Sequence, residues 1–290
     1  MSGKSFEYDH NIDDVINLLN LEQLDLNLFR GINYKTPWKR IFGGQVLGQA
    51  LSAAYQSVPI ERVVHSLHGY FILPGDIDHP VIYQVDEVRD GGSFSTRRVS
   101  AIQKGRAIFV MAASFQKKQE GLNHQESMPE VESPDELKTL LEQAEDIKPY
   151  FPVVFERIKR GQLKAFDFRP VHNIFEKQDV DILQHVWMKS AKKAVADSRM
   201  NHQILAYVSD ANLLISALGP HKNKINFEKL FMASLDHAMW FHQDCDINDW
   251  MLYSTQSPHA SNSRALAQGK VFSETGQLIA TVMQEGLIRH

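Results

Sequence analysis

The sequence predicts an α+β fold built twice in tandem, each copy a long apolar helix wrapped by an antiparallel sheet. Three observations carry this. Residues 65–71 (His-Ser-Leu-His-Gly-Tyr-Phe) nearly repeat in residues 234–241 (Ser-Leu-Asp-His-Ala-Met-Trp-Phe). A strand-like run ends at Gln116, 48 residues after His68, and another ends at Gln284, 47 residues after His237. Between the halves, residues 120–146 hold nine Asp and Glu against one Lys, with Pro129 and Pro134. Self-similarity at long period marks a duplicated structural unit, and the composition shift marks the linker between the copies. The expected boundaries are 1–118, 119–164 and 165–290, within the size of one large domain or two ordinary ones.

Residues 1–10 are polar and read as a frayed end. Residues 12–28 place Ile12, Val15, Leu18, Leu19 and Leu21 near helical spacing, a surface helix. Residues 43–58 open Gly-Gly-Gln and set Val46, Leu47, Ala50, Leu51, Ala54 and Val58 on one face, an apolar helix stopped by Pro59. Strand signals follow at 63–73, 81–88, 94–103 and 107–116, with turns at Arg89-Asp90-Gly91-Gly92 and Lys104-Gly105-Arg106. The acidic linker carries one candidate short helix at 135–145. The second half repeats the order: strands at 165–171 and 184–190, then a long helix at 199–218 with Ser198 as its cap. Strands at 231–242, 249–256, 263–273 and 277–288 complete it. A helix wrapped by an antiparallel sheet, twice, is the pattern of a double hotdog. Its two sheets join edge to edge into one continuous sheet, which also covers an exposed edge of each.

Composition removes several function classes. The formal net charge of −4 offers no basic footprint for nucleic acid. No apolar run approaches the roughly 20 residues of a membrane span, and residues 1–10 lack an apolar signal core. The single cysteine, Cys245, forms no internal disulfide, so a reducing compartment, the cytoplasm, is expected. Its acidic setting (Gln-Asp-Cys-Asp) disfavours a thiolate. None of the 13 histidines has the spacing of a metal site, and no Gly-x-Ser-x-Gly elbow or Gly-x-Gly-x-x-Gly loop is present. Neither metal nor cofactor is expected.

Asp210 stands out because the helix around it is otherwise apolar. A carboxylate in a core helix is hydrogen-bonded or functional, since burying it unpaired is costly; the alternative is an Asp on the solvent side. The first-half helix has no acid between Gly43 and Val58, so this carboxylate belongs to the second copy alone. Ser234 opens the strand-like run that includes His237, and Gln284 closes the last one. Each alone is unremarked on a strand. If their strands flank the helix bearing Asp210, a carboxylate, a hydroxyl and an amide converge to hold one water.

The runs Gly43-Gly44-Gln45-Val46-Leu47-Gly48-Gln49-Ala50, His65 to Gly75, Asp90 to Val99, Ser209-Asp210, Asp236 to His242 and Gln284-Glu285-Gly286 together resemble the acyl-CoA thioesterase II family. The likeness runs in order from about residue 12 to the end. It implies the double hotdog and hydrolysis of acyl-CoA to free acid and coenzyme A. It also implies a site made of Asp210, Ser234 and Gln284, and a homodimer or homotetramer. The family usually carries Thr where this chain has Ser234, which loses the methyl that stiffens the rotamer. Arg97, Arg98 and Arg264 are the candidates to meet the coenzyme's phosphates, and a backbone N–H of the Gly-rich helix is the candidate oxyanion donor. The competing readings are an enoyl-CoA hydratase of the same fold and a non-catalytic acyl-CoA binder. The hydratase needs His near Asp on one helix face, and His202 lies more than two turns from Asp210. His68 with His237, and Gln116 with Gln284, read as matching scaffold positions, leaving one working site per chain.

Overall fold

The computed structural model describes residues 11–36, 39–149, 152–161, 163–172, 183–221, 224–226 and 229–290. The expected frayed stretch 1–10 lies outside these. Helix α1 (Ile12–Leu19) starts on a capping box: the Asn11 side chain accepts from the amides of Asp13 and Asp14, and Asp14 reaches back to the Asn11 amide. It stops at Asn20 rather than running to 28. Beyond Leu21 the apolar period fails, and the chain forms a hairpin, β1 (Glu22–Asp25) and β2 (Leu28–Gly31). Asn27 supplies the left-handed turn residue at φ 57°.

Helix α2 (Gly43–Tyr55) follows, then β3 (Arg62–Phe71), β4 (Val81–Asp90), β5 (Phe94–Gln103) and β6 (Arg106–Lys117). Strand β4 runs through Asp90, so the turn after it is shorter than the sequence suggested. The acidic stretch is not only a solvated spacer. It holds a 3-10 turn (Pro134–Glu136), α3 (Leu140–Ile147) and, unforeseen, α4 (Pro152–Gly161). Met128, Val131 and Leu137 pack on a buried cluster of Trp187, Trp250, Leu252 and Phe272. The Trp187 indole N–H donates to the Glu132 carbonyl at 2.9 Å. This segment therefore covers the outer face of the second sheet half.

The second copy comprises β7 (Phe166–Pro170), β8 (Leu183–Ser190), α5 (Ser198–Ser209), β9 (Phe231–Ser234), β10 (Asp236–Phe241), β11 (Met251–Ser261), β12 (Arg264–Ser273) and β13 (Leu278–Arg289). Two expectations need correction. Helix α5 is capped by Asp197, whose side chain accepts from the Met200 amide, not by Ser198. It also ends at Ser209 instead of 218. Asn212 turns left-handed at φ 65°, and a 3-10 turn (Leu213–Ala217) continues the apolar stripe without the helix.

Among the described residues the strands form one 13-stranded sheet in the order β1-β2-β4-β5-β6-β3-β10-β13-β12-β11-β8-β7, with β9 also on β13. Neighbouring strands run antiparallel, and the halves meet where β3 pairs β10, Leu67 opposite Met239. This is a double hotdog with a continuous sheet. Helices α2 and α5 lie side by side against it. Gly44 approaches Tyr207 and Gly48 approaches Gln203, so rising numbers on one helix meet falling numbers on the other, and the pair is antiparallel. A Cβ on Gly44 would sit 2.1 Å from the Tyr207 carbonyl oxygen, so only glycine permits this approach. Leu47, Ala50, Leu51, Ile204, Leu205 and Val208 fill the buried core around the crossing.

The copies align one residue away from the apparent sequence match. The backbone from Phe71 to Pro80 repeats from Phe241 to Trp250, position by position. Phe71 therefore corresponds to Phe241, Leu67 to His237, and His68 to Ala238. Leu67 and His237 are both fully buried, whereas His68 is exposed. Gln116 pairs with Val63 near the end of β6. Gln284 lies mid-strand in β13, one position beyond the Ala238–Met283 pair and beside His237. Its counterpart is Ala113, which pairs with Leu67. The buried pair Leu67–Ala113 of the first copy has thus become His237–Gln284 in the second.

Candidate active site

Asp210, expected within a continuous helix, is the C-cap of α5. The chain leaves the helix immediately after it, so its carboxylate points past the helix end while staying half-buried. The Tyr253 hydroxyl donates to the Ser209 carbonyl at 2.8 Å, satisfying one of the helix's terminal acceptors.

Ser234 is the last residue of β9 and pairs with Gly286 on β13; Gln284 lies two residues earlier on the same face. Leu235 breaks the run between β9 and β10, its amide donating to the Glu285 carbonyl and its own carbonyl accepting from the Phe71 amide, both at 2.9 Å. That break ends β9 at Ser234 and lets the hydroxyl face Asp210.

The three sequence candidates meet. Asp210 Oδ1 accepts from Gln284 Nε2 at 2.8 Å and from the Ser234 hydroxyl at 3.2 Å. Gln284 Nε2 also donates to Ser234 Oγ. A fourth partner was missed. Asp210 Oδ2 accepts from the backbone N–H of Gly44, in the first turn of α2, at 2.8 Å. The residue at the N-cap of α2, Phe42, makes no side-chain cap bond, so the carboxylate of one copy serves as the anionic cap of the other copy's helix. A Cβ on Gly43 would fall 2.7 Å from Asp210 Oδ2, which explains the paired glycines. The signal was present in Phe42-Gly43-Gly44: a core helix whose N-terminus lacks Ser, Thr, Asp or Asn has orphan amides to satisfy. The site is therefore not private to the second copy.

Behind Gln284 lies His237, fully buried, its Nδ1 3.0 Å from Gln284 Oε1 and its Nε2 3.0 Å from Ser209 Oγ. Burial holds this imidazole below its ordinary value against the pull of Asp210.

Other candidates are placed elsewhere. Arg97 is 1 % exposed, held by both oxygens of Asp90 at 3.0 Å and by the Ser57 carbonyl at 2.8 Å; it is a buried structural guanidinium, not a phosphate ligand. Arg98 pairs with Asp86, and Arg264 with Glu285, both on the surface. His202 lies at the far end of α5, its Nδ1 2.8 Å from the Tyr55 hydroxyl. Burial, with Asp244, Asp246 and Asp249 nearby, pushes the Cys245 thiol up to about 12, far from a nucleophile. Among the described residues no helix is long and apolar enough to cross a membrane.

Known proteins resemble this chain in sequence and fold. Residues 157–287 match the family model described as acyl-CoA thioesterase, and residues 34–116 the one described as acyl-CoA thioesterase N-terminal domain. Acyl-CoA thioesterase 2 of Haemophilus influenzae is 38 % identical, over 96 % of this chain and 98 % of that one. The chain belongs to the acyl-CoA thioesterase II family. Human acyl-coenzyme A thioesterase 8 is similar too, 42 % identical over 95 % of this chain and 88 % of its own length. The crystal structure of acyl-CoA thioesterase II TesB2 from Mycobacterium marinum superposes with a TM-score of 0.80 at 39 % identity, covering 95 % of this chain and 98 % of that one.

Proposed function

We propose that this chain hydrolyses acyl-CoA thioesters to free fatty acid and coenzyme A, by direct attack of a water on the thioester carbonyl. The observation that carries the mechanism is the convergence of Gln284, Ser234 and the Gly44 amide on the two oxygens of Asp210. A water entering this group gives its proton to Asp210 while Gln284 and Ser234 fix its lone pairs. Its oxygen bonds to the carbonyl carbon. The tetrahedral intermediate then expels the coenzyme thiolate, and the proton held on Asp210 is returned to the sulfur. No acyl-enzyme forms, in keeping with the suppressed thiolate of Cys245.

The acyl chain takes the apolar cleft between β7, β8, β11 and the 3-10 turn after Asp210. Phe168, Val186, Met188, Ile215 and Tyr253 line it, and Asn212 brings its wall to within two residues of the carboxylate. The hydratase reading loses its histidine, because His202 is committed to Tyr55 at the other end of the helix. The same reading divides the chain at 1–118, 119–164 and 165–290. It also includes a cytoplasmic location, supported by the lone cysteine, and a homodimer or homotetramer, supported by the family likeness. The net charge of −4 supports a small-molecule substrate over nucleic acid.

Asp210→Asn tests the mechanism. It keeps the shape and one acceptor oxygen, turns the other into an amide that cannot accept, and removes the base, so thiol release from a panel of acyl-CoAs should fall by about 10²–10⁴-fold while the chain still folds. Parental turnover in the purified variant overturns it.

A further inference from the structure

We propose that His237 is a positioning residue for the hydrolysis, fixing the carboxamide of Gln284 in the one orientation that serves Asp210. The inference rests on the reading of Asp210, Ser234 and Gln284 as the site, and adds a residue that touches neither substrate nor water. A glutamine amide is nearly symmetric in shape, so something must choose which end faces the carboxylate. The surroundings of Gln284, which is 1 % exposed, make that choice.

Asp210 and Ser234 both lie against Nε2 of Gln284, and a carboxylate needs a donor there. Gln284 Oε1 therefore faces His237 Nδ1 at 3.0 Å, and that nitrogen must carry the proton. A neutral imidazole with its proton on Nδ1 has a bare Nε2, which must accept. Ser209 Oγ lies 3.0 Å from it and is the group able to donate. The chain of donors runs from Ser209 through His237 to Gln284 and ends on Asp210. Ser209 Oγ is also 2.9 Å from the Ala206 carbonyl, and its single proton cannot serve both acceptors. Were it given to Ala206, Nε2 would need the imidazole proton, and Nδ1 would face Oε1 as a second bare acceptor. The amide would then rotate and set its oxygen against the Asp210 carboxylate, a repulsion in a buried site. The first arrangement satisfies every group around Gln284, so His237 and Ser209 select it.

The duplication supplies the control. The position matching His237 in the first copy is Leu67, equally buried and paired with Ala113. His237→Leu therefore installs a side chain that this sheet position already accepts elsewhere in the molecule. Without the imidazole donor, kcat for thiol release should fall about 10²-fold, the scale set by losing one pre-aimed donor, with KM within about twofold because the substrate never touches His237. His237→Asn places an amide N–H near the position of Nδ1 and should recover most of the loss. A double-mutant cycle with Gln284→Ala gives the decisive reading. If His237 acts through Gln284, adding His237→Leu to Gln284→Ala slows the enzyme no further. The proposal is overturned if the two losses multiply, or if Asn performs no better than Leu. Parental kcat in Gln284→Ala alone instead overturns the site reading beneath it, so the two failures are distinguishable.

Discussion

The antiparallel pair α2 and α5 has two ends related by the duplication, and they are built for opposite purposes. At one end the C-terminus of α5 meets the N-terminus of α2, and Asp210 accepts from Gly44, Ser234 and Gln284. At the other end the C-terminus of α2 meets the N-terminus of α5. There α2 is capped by Gln56, and the Arg199 guanidinium donates to the carbonyls of Tyr55, Pro59 and Arg62 while lying over the Tyr55 ring. Tyr55 accepts from the Val64 amide at 3.0 Å and bonds His202, which reaches Asp244. The first end gathers donors around a half-buried carboxylate. The second fills the same geometry with a cation on backbone oxygens, a brace. What separates them is the sign of the side chain placed at the helix ends: a carboxylate on amides at one, a guanidinium on carbonyls at the other.

The largest loss should come from forcing the two helices apart. Gly44→Ala forces a methyl into the Tyr207 carbonyl and should cost more than about 4 kcal/mol, a backbone clash at the upper end of single-substitution effects. A urea midpoint near that of the parent would mean the helix approach is softer than the geometry states. Arg199→Ala attacks the brace alone. It strips donors from three carbonyls and should cost about 1–3 kcal/mol, while kcat stays at the parental value. Lost turnover at unchanged stability would show that the two ends are coupled.

Acid should loosen both ends together. Burial holds His202 and His237 below the ordinary value of 6.5. As pH falls through 6.5 the unfolded chain binds protons that the folded chain refuses. Stability is therefore complete above that pH and declines below it, by up to about 1.4 kcal/mol per pH unit for each imidazole. Chemical denaturation between pH 7.5 and 5.5 measures the slope, and His202→Leu should flatten it; an unchanged slope in that variant removes His202 from the account. The smallest effect belongs to the hydroxyl. Ser234→Ala should slow turnover by about tenfold, the scale of one hydrogen bond near 1.4 kcal/mol, and Ser234→Thr should preserve it. Equal rates in all three remove Ser234 from the site.

Much of this was legible before the fold was known. Strand runs bounded by Gly-containing turns such as Arg89 to Gly92 and Lys104 to Arg106 mark the sheet, and the odd acid in an apolar helix marks Asp210. The failures have definite physical causes. The 3-10 turn Leu213–Ala217 keeps apolar residues at nearly helical spacing, so periodicity carried the helix too far, and Asn212 was the overlooked stop signal. Asp197 and Ser198 are both eligible caps, and only side-chain geometry separates them. His237 reads from the sequence only as a scaffold position matching His68. Its real partner, Gln284, lies across the sheet, and register is invisible until strands pair. Gly44 is harder to read because a backbone amide carries no side chain, and its one trace is the uncapped Phe42-Gly43-Gly44 start of α2.

The carboxylate seated on a helix of the other copy has a consequence for ancestry. In a dimer of identical single units, each helix end would occur twice, and no substitution could touch one without touching its twin. Two units joined in one chain are free of that constraint. Leu67 and His237, Ala113 and Gln284, Gln56 and Asp210 can therefore differ, and they do. One end of the helix pair can hold a carboxylate among donors because the other end, no longer its twin, can hold a guanidinium as keystone.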